Sequence, residues 1–129
     1  MQEGAADANG PDWSIHTTRI TGDSVEPSRP FEPAATALGE GDPWVAPDGS
    51  YLIFTRWDRG RDWSQDADLY ITFDGPAGWS EPAPIEQIND PSGPDYAVSI
   101  HAGTMYWKRR GGTFSISWPP ILAALRQRS

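Results

Sequence analysis

The sequence contains no cysteine, which excludes a disulfide framework and a thiolate metal site. Histidine is nearly as scarce, with His16 and His101 the only imidazoles. No Gly-x-Ser-x-Gly nucleophile elbow occurs, so the hydrolase half of a serine peptidase is missing. No apolar run approaches the ~18 residues that a membrane-spanning helix needs. Met1 to Pro11 has neither the basic nor the apolar region of a signal peptide and reads as a flexible lead-in. Apolar residues make up only 37% of the 129.

Positive charge is also in short supply. Eighteen Asp and Glu face ten Lys and Arg, for a net charge of −8. Such a surface repels phosphate, so neither nucleic acid nor an anionic membrane is an expected partner. Lys108-Arg109-Arg110 and Arg56, Arg59 and Arg61 read as solvated loop charges, with room for one local ion pair to a nearby Asp.

What the chain does have is rings and turn residues. Seven Trp, four Tyr and four Phe bury large areas per residue. Thirteen Gly and thirteen Pro punctuate it too often for long helices and suit short strands. The clearest unit starts at Gly41. Asp42 to Ala46 is a short apolar piece, and Pro47-Asp48-Gly49-Ser50 is a tight turn. Pro fixes φ, Asp caps the turn and Gly accepts a positive φ. Tyr51 to Arg56 is strongly β-prone. Trp57 to Asp66 reads as a polar loop. Asp68 to Phe73 is a third strand, and Trp79-Ser80-Glu81-Pro82 opens an outer strand that Pro82 must end.

The block recurs at an offset of about 54 residues. Ile15-His16-Thr17 matches Leu69-Tyr70-Ile71, and Val25-Glu26-Pro27 matches Ser80-Glu81-Pro82. Asp42-Pro43-Trp44-Val45 matches Asp95-Tyr96-Ala97-Val98, and Pro47-Asp48-Gly49 matches His101-Ala102-Gly103. The expected architecture is all-β, made of antiparallel four-stranded propeller blades. Residues 13–20 and the Val25 region supply a third and fourth strand, 42–85 a complete blade, and 95–118 a first, second and third strand. The segment 12–118 is then the propeller part. Residues 119–129 form a short C-terminal helix and tail, with Ile121, Leu122 and Leu125 on one face.

Gly41-Asp42-Pro43-Trp44-Val45-Ala46-Pro47-Asp48-Gly49-Ser50-Tyr51-Leu52-Ile53-Phe54 resembles the WD40-like Pro-Asp repeat of TolB-type β-propellers. Asp68-Leu69-Tyr70-Ile71, Gly78-Trp79-Ser80-Glu81-Pro82 and Gly103-Thr104-Met105-Tyr106-Trp107 extend the resemblance. The resemblance implies the C-terminal blades of a propeller from a bacterial periplasmic or secreted protein, serving as a protein-binding platform. The alternative is an accessory domain beside a bacterial peptidase or a glycan-active hydrolase. The last repeat departs from the family, with His101-Ala102-Gly103 at the turn and Thr113-Phe114-Ser115 on its third strand.

No catalytic, cofactor or metal site is expected. Asp58, Asp62, Asp66 and Asp68 cluster before the third strand, but their spacing is not that of an EF-hand. They read as loop caps, with calcium shared with another blade as the alternative. Trp57 and Trp63, with Arg59 and Arg61, are the candidate binding surface; the alternative is that the two indoles fold back over the blade edge. Trp44, Tyr51, Phe54, Tyr70, Phe73, Tyr106 and Trp107 are expected between blades. A blade is apolar on both faces, so two open faces are expected to seek partners. These are the remaining blades of a longer chain, further copies in a head-to-tail ring, or each other in a collapsed sandwich.

Overall fold

A computed structural model describes residues 14–36, 38–58, 66–91 and 93–128. The lead-in expected over 1–11 lies outside them. Four two-residue strands come first: β1 (His16–Thr17), β2 (Ile20–Thr21), β3 (Ser24–Val25) and β4 (Arg29–Pro30). A 3-10 turn at Glu32–Ala34 follows. The central strands are β5 (Gly39–Val45), β6 (Tyr51–Trp57), β7 (Ala67–Gly75), β8 (Gly78–Trp79) and β9 (Ala83–Pro84). Then come β10 (Asp95–His101), β11 (Thr104–Arg109), β12 (Gly112–Ser117) and helix α1 (Pro119–Arg128). The protein is thus mostly antiparallel β with one C-terminal helix, divided among several small sheets, one of them curled as a half-barrel. No propeller ring is closed among the described residues.

The central sheet runs β5-β6-β7, with β8 and β9 both on the far side of β7. Its middle strand reads Tyr51-Leu52-Ile53-Phe54-Thr55, all buried, because both of its faces are covered. One face carries Tyr51, Ile53, Leu69, Ile71 and Phe73 and packs on Val98, Met105, Trp107, Trp118 and Leu125. The other carries Leu52 and Phe54 and packs on Ile15, Phe31 and Ala34. Burying each large side chain contributes roughly 2 kcal/mol. The central sheet is therefore a layer between two others. The outer strand departs from expectation, since Pro82 interrupts it and pairing resumes at Ala83–Pro84. Pro84 is tolerated there because β9 lies on the sheet's edge.

The structure is a tandem repeat. Adding 54 to the pairs His16↔Pro30 and Thr17↔Arg29 gives Tyr70↔Pro84 and Ile71↔Ala83. The same shift turns Ile20↔Val25 and Thr21↔Ser24 into Asp74↔Trp79 and Gly75↔Gly78. It also turns the bond from Phe31 N–H to Ile15 C=O into that from Ile85 N–H to Leu69 C=O. The two inner hairpins repeat as well. Each holds a one-residue bulge, between Gly41 and Trp44 in one and between Tyr96 and Ser99 in the other. The bulges open on Asp42 (φ 49°) and Ala97 (φ 56°).

Register corrects the sequence alignment. Asp42 matches Ala97, two places beyond the Asp95 suggested by side-chain identity. Val25 matches Trp79 and not Ser80. The turns differ in length. Ala46 N–H bonds Tyr51 C=O across four residues, whereas His101 pairs with Thr104 across two. Ala102 (φ 51°) and Gly103 (φ 83°) both take positive φ, the signature of a two-residue hairpin turn. The lost Pro-Asp turn is therefore a shorter turn and not a disordered one.

A second correction concerns the last sheet. The central pairs Tyr51↔Phe73, Ile53↔Ile71 and Thr55↔Leu69 become Thr104↔Ser117, Tyr106↔Ser115 and Lys108↔Thr113. These six residues form the outward face, so that face is polar where an apolar one was expected. Tyr106, expected between sheets, is 39% exposed. A polar outer face of this kind is what a capping repeat turns to water. Helix α1 takes over where an outer strand would turn back. Pro119 falls at the place of Gly75 and offers no N–H for a hairpin. Ile121, Leu122 and Leu125 then cover the central sheet, as their helical spacing predicts.

Candidate functional site

Two buried ion pairs stand at equivalent points of the repeat. Glu40 begins the first strand of the central hairpin opposite Arg56, and Asp95 begins that of the last hairpin opposite Arg109. Asp95 is fully buried and accepts from Trp107 Nε1 at 2.9 Å, Arg109 Nε at 2.7 Å and Asp90 N–H at 2.8 Å. Arg109 also reaches the Ile88 carbonyl at 2.7 Å. Its guanidinium lies over Trp107 at 5.6 Å and Phe114 at 4.9 Å. In the central unit Arg56 lies over Phe54 and Tyr70, at 5.2 and 4.5 Å, and reaches the Ala34 carbonyl at 3.4 Å. Arg56 and Arg109 depart from the reading as solvated loop charge, and Arg109 makes the ion pair to a nearby Asp that this reading left room for, while Lys108 is exposed. Each sits at the end of a strand whose ring two positions earlier faces the same side, and that spacing was the missed signal.

The two pairs differ in finish. Glu40 Oε2 accepts from Thr36 Oγ1 and lies 3.3 Å from Arg56 Nε, without a well-aligned hydrogen bond to it. Glu40 Oε1 and Thr55 Oγ1 are buried without a partner. Burial raises the Glu40 carboxyl above its ordinary range, against the opposing pulls of Thr36 and Arg56. Each Arg–carboxylate pair ties the preceding loop to the next hairpin.

The residues singled out from sequence fall as follows. Trp57 is the last residue of β6, half-buried, not in a loop. Its indole lies on Gly39 and Gly41, and a Cβ at Gly39 would come 2.5 Å from Trp57 Cε2. Arg59, Arg61, Asp62 and Trp63 lie outside the described residues. Among those described, no group of three or more His, Cys, Asp or Glu is placed to hold a metal ion. Asp68 is half-buried, and burial, then Asp95 and Asp66, raise its carboxyl above the usual range. Pro47, Asp48 and Gly49 form the expected turn. Ser50 N–H and Oγ donate to Asp48 Oδ1 at 3.0 and 2.7 Å, and Gly49 N–H donates to the Ala46 carbonyl. Those bonds hold the Asp48 carboxyl below its usual range. His16 and His101 are both exposed, one opening β1 and the other ending β10.

A cleft of about 270 Å³ opens between the outer strand and α1. Ile71, Phe73, Ala83, Pro84 and Leu125 line its floor, with Glu86 and Arg128 at the rim. No described helix is long and apolar enough to cross a membrane. Comparison with family models, curated proteins and solved structures gave no match.

Proposed function

We propose that the chain is a non-catalytic binding or scaffold module that contacts protein, built as a segment of a TolB-like β-propeller. The 54-residue repeat carries this reading. Radial repetition of four-stranded antiparallel sheets is the propeller's principle, and here a four-stranded meander is layered between repeats of itself. The Pro47-Asp48-Gly49 turn and the strand order support the same family. By that resemblance the protein works in the periplasm or outside the cell, without a cofactor.

The polar outward face of the last sheet weighs against a ring closed by further copies, since a ring needs two apolar faces to meet. It favours an array whose missing layers belong beside β1 to β4. The deciding experiment is the structure of the full-length gene product. Further copies of the unit, layered beside β1 to β4 before His16, are expected. A full-length product with no further copy would overturn the reading.

A further inference from the structure

The three units treat one edge differently. In the first, β4 covers the free edge of β1, and in the central one β9 covers that of β7. The equivalent edge belongs to β12, and no described strand pairs with it. Trp118 N–H bonds the Gly103 carbonyl, so even-numbered positions face β11. By alternation, the main-chain groups of Thr113, Ser115 and Ser117 point away from the sheet. Edge strands usually carry a charge, a proline or a bulge that discourages pairing. Gly112-Thr113-Phe114-Ser115-Ile116-Ser117 has none of these, and Phe114 and Ile116 are 42% and 38% exposed.

The earlier units specify what fits. Their covering strands, Arg29–Pro30 and Ala83–Pro84, lead straight into Phe31-Glu32 and Ile85-Glu86, where the chain turns. In each, the proline stands opposite an aromatic or imidazole ring, His16 or Tyr70. The next residue's N–H donates to the partner strand, at 2.8 Å from Phe31 and 2.9 Å from Ile85. At β12 the matching positions are Phe114 for the ring and the Thr113 carbonyl for the acceptor. Phe114 is already held as a platform, stacked on Trp107 at 5.9 Å beneath Arg109. A glutamate two places after the proline, just past the paired strand as Glu32 and Glu86 are, would leave the edge near Gly112 and the Arg109-Arg110 turn. Charge favours it. Residues 95–129 hold five Lys and Arg against one Asp, while the chain as a whole carries −8.

We propose that the free edge of β12 binds an extended Pro–apolar–Glu strand of a partner protein, in the register that Pro30 and Pro84 hold in the earlier units. The bound strand would add main-chain hydrogen bonds at Ser115 and Thr113, set its proline on Phe114 and its glutamate by the arginine turn. The proposal rests on the repeat alone and not on the propeller reading, so either can fail without the other.

The test is fluorescence anisotropy of a labelled peptide copying residues 79–87, titrated with the whole chain. Saturable binding with a Kd on the order of 100 μM is expected for so short a strand. Ser115→Pro removes one outward N–H at an edge position where proline is tolerated, and should weaken binding at least about tenfold. Circular dichroism and the melting temperature show whether that variant is folded. A peptide with Glu86→Lys should bind about fivefold more weakly to the unaltered protein, with the difference shrinking in high salt. Absence of saturation by about 2 mM, or equal binding by folded Ser115→Pro, would overturn the proposal. So would concentration-dependent dimerisation abolished by Ser115→Pro, which would assign the edge to a second copy.

Discussion

Arg56 and Arg109 hold the same station in successive units, each reaching back to a carbonyl of the loop before it, Ala34 in one case and Ile88 in the other. Each also faces a carboxylate across its hairpin and stacks over two rings. One guanidinium thus joins three pieces of chain: the preceding loop, the first strand and the third strand. That arrangement makes consecutive units cooperative, because a unit cannot open without releasing the loop of the one before.

The better-finished pair should be the costlier to break. Asp95 satisfies three donors and is fully buried. Asp95→Ala leaves Arg109 and Trp107 Nε1 without that acceptor and should cost about 3–5 kcal/mol. Glu40→Ala should cost less, about 1–3 kcal/mol, because one Glu40 oxygen is already unpaired. Urea unfolding of the two variants, read at equal m-value, orders them. Equal costs would mean that the hydrogen-bond count at the carboxylate does not set the strength of the joint.

Glu40 should also mark the pH dependence of stability. Its folded carboxyl is raised above the ordinary 4.5, chiefly by burial. A raised folded value means that the folded state holds the proton more tightly than the unfolded chain. Its contribution is therefore fully present below 4.5 and is lost as pH rises through the folded value. The stability of the wild type minus that of Glu40→Gln should fall across that window and then level off. Asp48 has the opposite sign, since Ser50 lowers it and its contribution is lost as pH falls below 3.8. Carboxyl-carbon NMR titration of Glu40 checks the direction without unfolding.

The central hairpin was legible because its turn chemistry and its β-prone run point the same way. The repeat was legible as order but not as register. Side-chain identity drew Asp42 onto Asp95, whereas the backbone matches Asp42 to Ala97 through a shared bulge. Bulges carry few sequence marks, because the extra residue is set by hydrogen bonding and not by side-chain type. The polar last face was also hidden. Thr104, Tyr106, Lys108, Thr113, Ser115 and Ser117 read as ordinary alternating strand, and only pairing shows that all six share one side. The half-buried arginines were missed because a charge at a strand end reads as solvated until the opposite strand supplies a carboxylate.

The short turn offers a gain in stability. Ala102 sits at φ 51°, a conformation that costs an alanine about 1 kcal/mol and a glycine little. Ala102→Gly or Ala102→Asn should raise stability by about 0.5–1 kcal/mol, visible as a higher melting temperature. Gly39→Ala should do the reverse, because its Cβ would come 2.5 Å from the Trp57 indole. That change should shift the tryptophan emission as Trp57 is displaced from the strand.

Helix α1 should prove to be a structural closure and not an appendage. Leu125 is 4% exposed and floors the cleft against Ile71 and Phe73. Trp118 Nε1 donates to the Tyr51 hydroxyl at 2.9 Å, and Arg126 covers the Tyr51 and Phe73 rings. Leu125→Ala should cost about 2–4 kcal/mol and enlarge the cleft. Trp118→Phe keeps most of the ring burial but leaves the Tyr51 hydroxyl without this donor, for a cost of about 1–3 kcal/mol. Removing residues 119–129 should expose the apolar face that Tyr51, Ile71 and Phe73 present, and the truncated chain should bind a hydrophobic dye and self-associate. A truncated chain that stays monomeric, binds no dye and melts like the whole protein would mean that the last sheet alone closes this side of the repeat.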